Sequence, residues 1–134
     1  MVIHLNLTPP TVTAQEHKFS RRFGRTIVYD PPRLRQAREL LMTALKPYSP
    51  RAPMEGALYV AVSWRFPATK RHPAGTWRTT RPDTDNLQKL LKDCMTRTGY
   101  WHDDAQVCAE LVEKWWSDKP GIYIKIEPLP REVG

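Results

Sequence analysis

Cysteine is scarce in this chain of 134 residues: Cys94 and Cys108 are the only two, and they form no C-x-x-C pair. That argues against a disulfide framework and a structural zinc site, and it fits a reducing compartment, the cytosol of a bacterium or a phage-infected host by default. Long apolar runs are missing too. No stretch approaches the roughly 20 apolar residues of a membrane span, and the opening MVIHLNLTPP has neither the basic n-region nor the apolar core of a signal peptide. The expectation is a soluble protein with no membrane attachment. Acids are scarce in one part of the chain only: residues 1–82 hold four (Glu16, Asp30, Glu39, Glu55), and residues 67–82 hold none.

What is present sharpens that asymmetry. The first 82 residues carry 14 Lys and Arg, a balance of +10, whereas residues 83–134 carry seven against ten acids, a balance of −3. Such a division is expected where one surface attracts a polyanion and its neighbour attracts a cation. Nucleic acid is the polyanion it points to, although basic single domains also bind polyanions without selectivity. Thirteen Pro and five Trp are a heavy load, yet 40% hydrophobic residues read as globular. The length suits one domain spanning 1–134 with a real core.

Residues 2–7 alternate apolar and polar as a first strand, ended by Thr8-Pro9-Pro10. A basic loop runs from Thr11 to about Arg25, and Arg25 to Tyr29 reads as a short strand. Asp30-Pro31-Pro32 is a helix start, after which Leu34, Ala37, Leu40, Leu41, Ala44 and Leu45 recur at helical spacing up to Pro47. The β-branched and aromatic run Ala57 to Phe66 is a central strand. Residues 67–82 are a Pro- and Gly-containing basic loop. A second helix from about Asp83 to Thr98 buries Leu87, Leu90, Leu91, Cys94 and Met95, and Gly99 ends it. Strands at roughly Val107 to Trp116 and Ile122 to Glu127, joined by the turn Lys119-Pro120-Gly121, complete the chain. The fold class is α+β, a small mixed sheet with two main helices packed on one side.

Four carboxylates gather around the second helix in RPDTDNLQKLLKDCMTRTGYWHDDAQV: Asp83 and Asp85 at its start, Asp103 and Asp104 after its end. Each has an ordinary explanation. Asp83 caps the helix, Asp85 meets the helix dipole and pairs with Lys89 at i, i+4, and Asp103 and Asp104 form a turn. Those explanations predict independent acids. The other reading has the helix start and the last-but-one strand's start meeting at one end of the sheet, with the acids around one point. Hard cations such as Mg²⁺ are held in this way, by one or two carboxylates with phosphate oxygens and water. Asp85, Lys89, Lys92 and Thr96 fall in one stripe opposite the apolar face, free for chemistry. His102 adjoins the acid pair, but an imidazole suits a transition metal better, and His4, His17 and His72 show no ligand spacing.

The run RPDTDNLQKLLKD followed by GYWHDDAQV resembles the RusA family of Holliday junction resolvases, whose pattern is D-x-D-N-x-x-K on a helix and then D-D-x-Q. The match is specific over residues 81–114, VEK at 112–114 included, and looser before it, where TPPTVTAQ is similar to the family's Pro-rich opening. The resemblance implies that Asp83, Asp85 and Asp104 are the catalytic acids and Mg²⁺ ligands (with Mn²⁺ as a substitute), that Asp103 is an auxiliary ligand or positioning group and that Lys89 supports catalysis. It implies a homodimer placing two symmetric nicks in a four-way DNA junction, for recombination and repair; an isologous dimer matches a two-fold substrate. Phosphate contacts are then expected from Lys18, Arg21, Arg22 and Arg25 of the first loop, from Lys70, Arg71, Arg78 and Arg81 of the second, and from Lys92. The 67–82 loop is longer and more basic than the family pattern suggests. Its Trp77 either stacks on an exposed base or packs back on the core. Trp115-Trp116 points one ring to each sheet face and suggests core plus dimer surface. Two alternatives stand beside this reading: a nuclease for other branched DNA such as forks or flaps, and a non-catalytic DNA-binding protein whose acids are caps and turns.

Overall fold

The computed structural model describes residues 1–13, 18–22, 25–29 and 32–133, with backbone pairing alone for the second and third of these stretches. Its elements are β1 (Val2–Leu5), β2 (Lys18–Arg22), β3 (Arg25–Tyr29), α1 (Pro32–Leu45), β4 (Leu58–Pro67), α2 (Thr84–Arg97), β5 (Val107–Ser117) and β6 (Gly121–Pro128). Single turns of 3-10 helix follow α1 at Lys46–Tyr48 and precede β5 at Asp104–Gln106.

One sheet has the order β1-β6-β4-β5, with β4 and β5 parallel and the other pairs antiparallel. This is the small mixed α+β sheet the sequence suggests, with β4 central. The turn at Lys119-Pro120-Gly121 does not make a hairpin, because β4 lies between β5 and β6 and hydrogen-bonds to both. The long apolar strand takes the position that buries most surface. The basic loop expected from residue 11 to 25 is also partly a strand: Lys18–Arg22 pairs antiparallel with Arg25–Tyr29, Phe19 opposite Val28. The β-branched run Thr26-Ile27-Val28 supplies the ladder that the basic residues alone would not nominate. The Asp30 helix cap and the side chains of Lys18, Arg21, Arg22 and Arg25 lie outside the described residues.

Period-two alternation assigns the two sheet faces. Leu58, Val60, Val62, Trp64 and Phe66 of β4 and Ile122, Ile124 and Ile126 of β6 are buried, while Tyr59, Ala61, Arg65, Tyr123 and Lys125 between them are not fully so. The buried face forms one cluster with Leu34, Leu41 and Leu45 of α1 and Leu87, Leu90, Leu91, Cys94 and Met95 of α2. Both helices therefore lie on one side. Gly99 closes α2 at φ 85°, with Tyr100 N donating to Met95 O at 3.0 Å and Gly99 N to Thr96 O at 3.2 Å. That is a Schellman end, which needs a residue free to take positive φ. Tyr100, wholly buried, then donates its hydroxyl to Leu45 O, tying the ends of the two helices together. Among the described residues no helix is long and apolar enough to cross a membrane.

Candidate active site

β4, α2 and β5 make a strand–helix–parallel strand unit, so α2 begins beside the C-terminal ends of the two strands and runs back along them. Contacts along β5 give the direction: Lys114 reaches Pro82 just before the helix, and Glu110 meets Gln88 at 3.2 Å and Lys92 at 3.3 Å. The whole arrangement of the candidate site follows from that direction.

At the helix start, Asp83 occupies the N-cap by its backbone (φ −75°, ψ 150°), and its carbonyl accepts from Leu87 N at 3.0 Å. Its side chain makes no capping hydrogen bond. The ordinary explanation for Asp83 is thus absent, and an exposed carboxylate is left facing solvent. Asp85, also exposed, spends one oxygen on Asn86 N at 3.0 Å. Among the described residues it forms no ion pair with Lys89, which is exposed one turn further on.

The chain entering this helix is held by two cations. Lys114 Nζ donates to Thr80 O at 2.6 Å and to Pro82 O at 2.7 Å. Arg78 donates from Nε and Nη2 to Arg81 O at 3.1 and 2.5 Å, and its guanidinium lies over the rings of Phe66 and Trp116 at 4.3 and 4.6 Å. Burial depresses the pKa of both: for Arg78 desolvation alone acts, and for Lys114 desolvation and the neighbouring Arg78 outweigh the opposing pull of Asp83. Arg78 is therefore a structural part of its loop, with its guanidinium turned onto the protein rather than offered to phosphate as the sequence suggests. Lys70, Arg71 and Arg81 of the same loop are exposed. Trp77 is 68% exposed, so it does not pack back on the core.

The second acid pair divides by role. Asp103 Oδ1 accepts from Ala105 N at 2.8 Å, while Gln106 Oε1 accepts from Asp103 N at 3.1 Å and from His102 N at 2.8 Å: a capping box on the 3-10 turn. Gln106 Nε2 also donates to Met54 O and Gly56 O at 2.9 and 3.0 Å, fixing the turn to the chain before β4. Asp103 is committed to that cap, which leaves Asp104 exposed and without such a duty. His102 pairs with Glu55 at 2.7 Å.

Within one chain the two pairs do not meet. Asp83 and Asp85 stand at the start of α2, whereas Asp104 precedes β5 at the helix's other end, and a helix of 14 residues is about 21 Å long. Among the described residues no three His, Cys, Asp or Glu side chains are grouped so as to hold a metal ion. The expectation that a helix start and a strand start share one end of the sheet fails for a topological reason: a crossover helix runs opposite to its strands. Lys92 is not free either, since it pairs with Glu110, and Thr96 accepts from Trp101 Nε1 at 2.7 Å. Among the described residues, Asp85 and Lys89 are the members of the predicted stripe that bond to no other side chain.

The donor set at the helix start suits a hard divalent cation. Two exposed carboxylates two residues apart, among the described residues one with no protein hydrogen-bond donor and one with a single donor, leave several oxygen lone pairs open, and such ions complete their shells with water and phosphate. The model for the family described as Endodeoxyribonuclease RusA matches residues 8–127. The chain belongs to the RusA family. A curated relative, the crossover junction endodeoxyribonuclease rusA of Lactococcus phage r1t, is 35% identical over 69 residues, covering 52% of this chain and 53% of the relative. The chain spans about half the length of that relative. Asp83, Asp85, Lys89 and Asp104 all lie inside the RusA match. Sequence reasoning left Lys114, Gln106 and Glu110 without roles and gave Arg78 a phosphate contact instead of its structural one. The signal for Lys114 was present, since VEK belongs to the family pattern and positions 110, 112, 114 and 116 share one face of a strand.

Proposed function

We propose that the chain is a divalent-metal-dependent endodeoxyribonuclease acting on branched DNA, four-way junctions foremost, as a homodimer. The observation that carries this is the pair Asp83 and Asp85: two exposed carboxylates at the start of a helix, the first without a capping bond and the second with one oxygen on Asn86 N, in a chain of formal net charge +7. Membership of an endodeoxyribonuclease family and the junction-cutting name of the phage relative support it.

Asp83 and Asp85 would hold Mg²⁺, with Mn²⁺ able to substitute, and Asp104 would complete the set. When bound, such an ion lowers the pKa of a coordinated water and offsets charge on the scissile phosphate. Lys89, one turn beyond Asp85, is placed to meet phosphate charge, and Lys70, Arg71 and Arg81 line the approach as phosphate contacts.

A second copy supplies the missing acid. The outer edge of β5 carries no strand between Val107 and Glu113 among the described residues, while the loop covers it further on, Trp77 bridging to Trp115. Open edges of this kind accept another strand. Two copies of β5 paired antiparallel about Ala109 along the open part of the edge would bring the turn that carries Asp104 of each toward the end of the partner's strand where Lys114 stands. Lys114 touches the residue before Asp83. Dimerisation would then assemble two equal acid sites, one for each strand to be nicked.

The test is cleavage of a synthetic four-way junction, a fork and a linear duplex with Mg²⁺ by the wild type and by Asp85→Asn. Paired nicks in the junction, lost in the variant with binding retained, are expected. Preference for the fork would reassign the substrate, and binding without cleavage in Mg²⁺ or Mn²⁺ would make the protein a DNA-binding module.

A further inference from the structure

We propose that Lys114 and Arg78 form a clamp that sets the position of the Asp83 and Asp85 carboxylates, which makes Lys114 a positioning residue for cation capture; this rests on the nuclease reading above. Three consecutive carbonyls precede the acid pair, those of Thr80, Arg81 and Pro82, and each is taken by one of the two cations. Lys114 Nζ holds the first and third at 2.6 and 2.7 Å, and Arg78 holds the second through two nitrogens at 3.1 and 2.5 Å.

Successive carbonyls point in different directions, so fixing three in a row fixes the backbone between them. The last belongs to the peptide unit that carries the Asp83 nitrogen, and Pro82 itself is buried.

The clamp is built on the sheet. Lys114 stands in β5 opposite Trp64 of β4, and Arg78 N donates to Lys114 O at 3.2 Å. The guanidinium of Arg78 is gripped between Phe66 and Trp116, also strand residues, and His72 stacks on the same Trp116 ring at 4.4 Å. Position is thus passed from the rigid sheet through two side chains to a helix start whose own cap is missing. An N-cap without its side-chain bond needs another device to define the entry of the chain, and the clamp provides one.

A neighbouring cation has two opposed effects on cation capture, which gives the test its sign. If Lys114 acted only as a charge beside the acids, removing it would tighten binding of a divalent cation; if it positions the acids, removal weakens binding. The probe is Mn²⁺, titrated into full-length protein without DNA and followed by the EPR signal of the free ion. Lys114→Met is expected to weaken Mn²⁺ binding about tenfold, at the lower end of what loss of an outer supporting contact costs a metal site. It should also move the Mg²⁺ midpoint for junction cleavage in the same direction, while Lys114→Arg restores both most of the way. Arg78→Leu, which keeps an apolar group between Phe66 and Trp116, is expected to shift both the same way and serves if Lys114→Met does not fold. Unchanged or tighter Mn²⁺ binding in a folded variant overturns the clamp. A wild type that binds no Mn²⁺ and cuts nothing overturns the nuclease reading, and the clamp's purpose with it.

Discussion

Gln88 of α2 donates from Nε2 to Glu110 of β5 at 3.2 Å, and Lys92, one turn later, pairs with the same carboxylate at 3.3 Å. With Lys114 touching Pro82, these contacts make the helix antiparallel to the strand and put Asp104 a helix length from Asp83 and Asp85. If the acids work together they do so across a dimer, and subunit mixing shows it. Asp85→Asn and Asp104→Asn should each be inactive alone. Mixed and allowed to exchange, half the dimers pair the two variants, and each of these has one complete site made from the intact acids of both chains. About a quarter of the wild-type sites should therefore return, as single nicks rather than paired ones. A site contained in one chain predicts no recovery at all.

Asp83 and Asp103 are both Asp at the first position of a helical turn, and the structure separates them. Asp103 closes a capping box, while the Asp83 side chain caps nothing. Urea denaturation should find Asp103→Ala destabilised by about 1 kcal/mol, the usual loss for an N-cap. Asp83→Ala should stay within about 0.5 kcal/mol of wild type, as surface substitutions do, and yet abolish cleavage. An equal stability loss at both positions would mean that Asp83 serves the helix after all.

The helices were legible because their apolar residues recur at helical spacing and their ends carry chemistry: Gly99 at positive φ ends α2 where the sequence places the stop. The central strand was legible from its β-branched and aromatic content. Pairing was less so. Lys18–Arg22 has too little apolar content to announce a strand and needs Arg25–Tyr29 beside it. The turn after β5 gives no sign that β4 will insert between the strands it joins. The acids were readable as residues but not as a constellation. Strand, helix and strand in succession could have been recognised as a parallel crossover, which already places the two acid pairs at opposite ends. The split between Asp103 and Asp104, identical neighbours in sequence, depends on which carboxylate faces the 3-10 turn.

Trp77 is 68% exposed in the loop whose backbone borders β5. An exposed indole buries little on folding, so Trp77→Ala should leave the thermal midpoint close to that of wild type. If the ring stacks on an unpaired base, junction affinity should fall by about 1 to 3 kcal/mol, roughly fivefold to 150-fold, with affinity for linear duplex nearly unchanged. Equal losses on both DNAs would instead make the loop a general contact. Fluorescence anisotropy on the two substrates at one salt concentration decides between them.

Tyr100 gives the fold a predictable response to alkali. Its phenol is wholly buried and donates to Leu45 O, and burial, with a smaller contribution from Tyr48, pushes its pKa from 10.0 up to about 12. The folded state holds that proton more tightly than the unfolded chain does. The resulting stabilisation is complete below pH 10 and is lost as pH rises toward 12. At two pKa units it is worth about 2 to 3 kcal/mol. Tyr100→Phe loses the hydrogen bond at every pH and should be about 1 kcal/mol less stable than wild type at neutrality. Its stability should then fall less steeply between pH 10 and 12, so that the two proteins converge and then cross. Parallel urea-unfolding series across that range would show the convergence; a constant gap would mean that Tyr100 ionises in the folded state as readily as in the unfolded one.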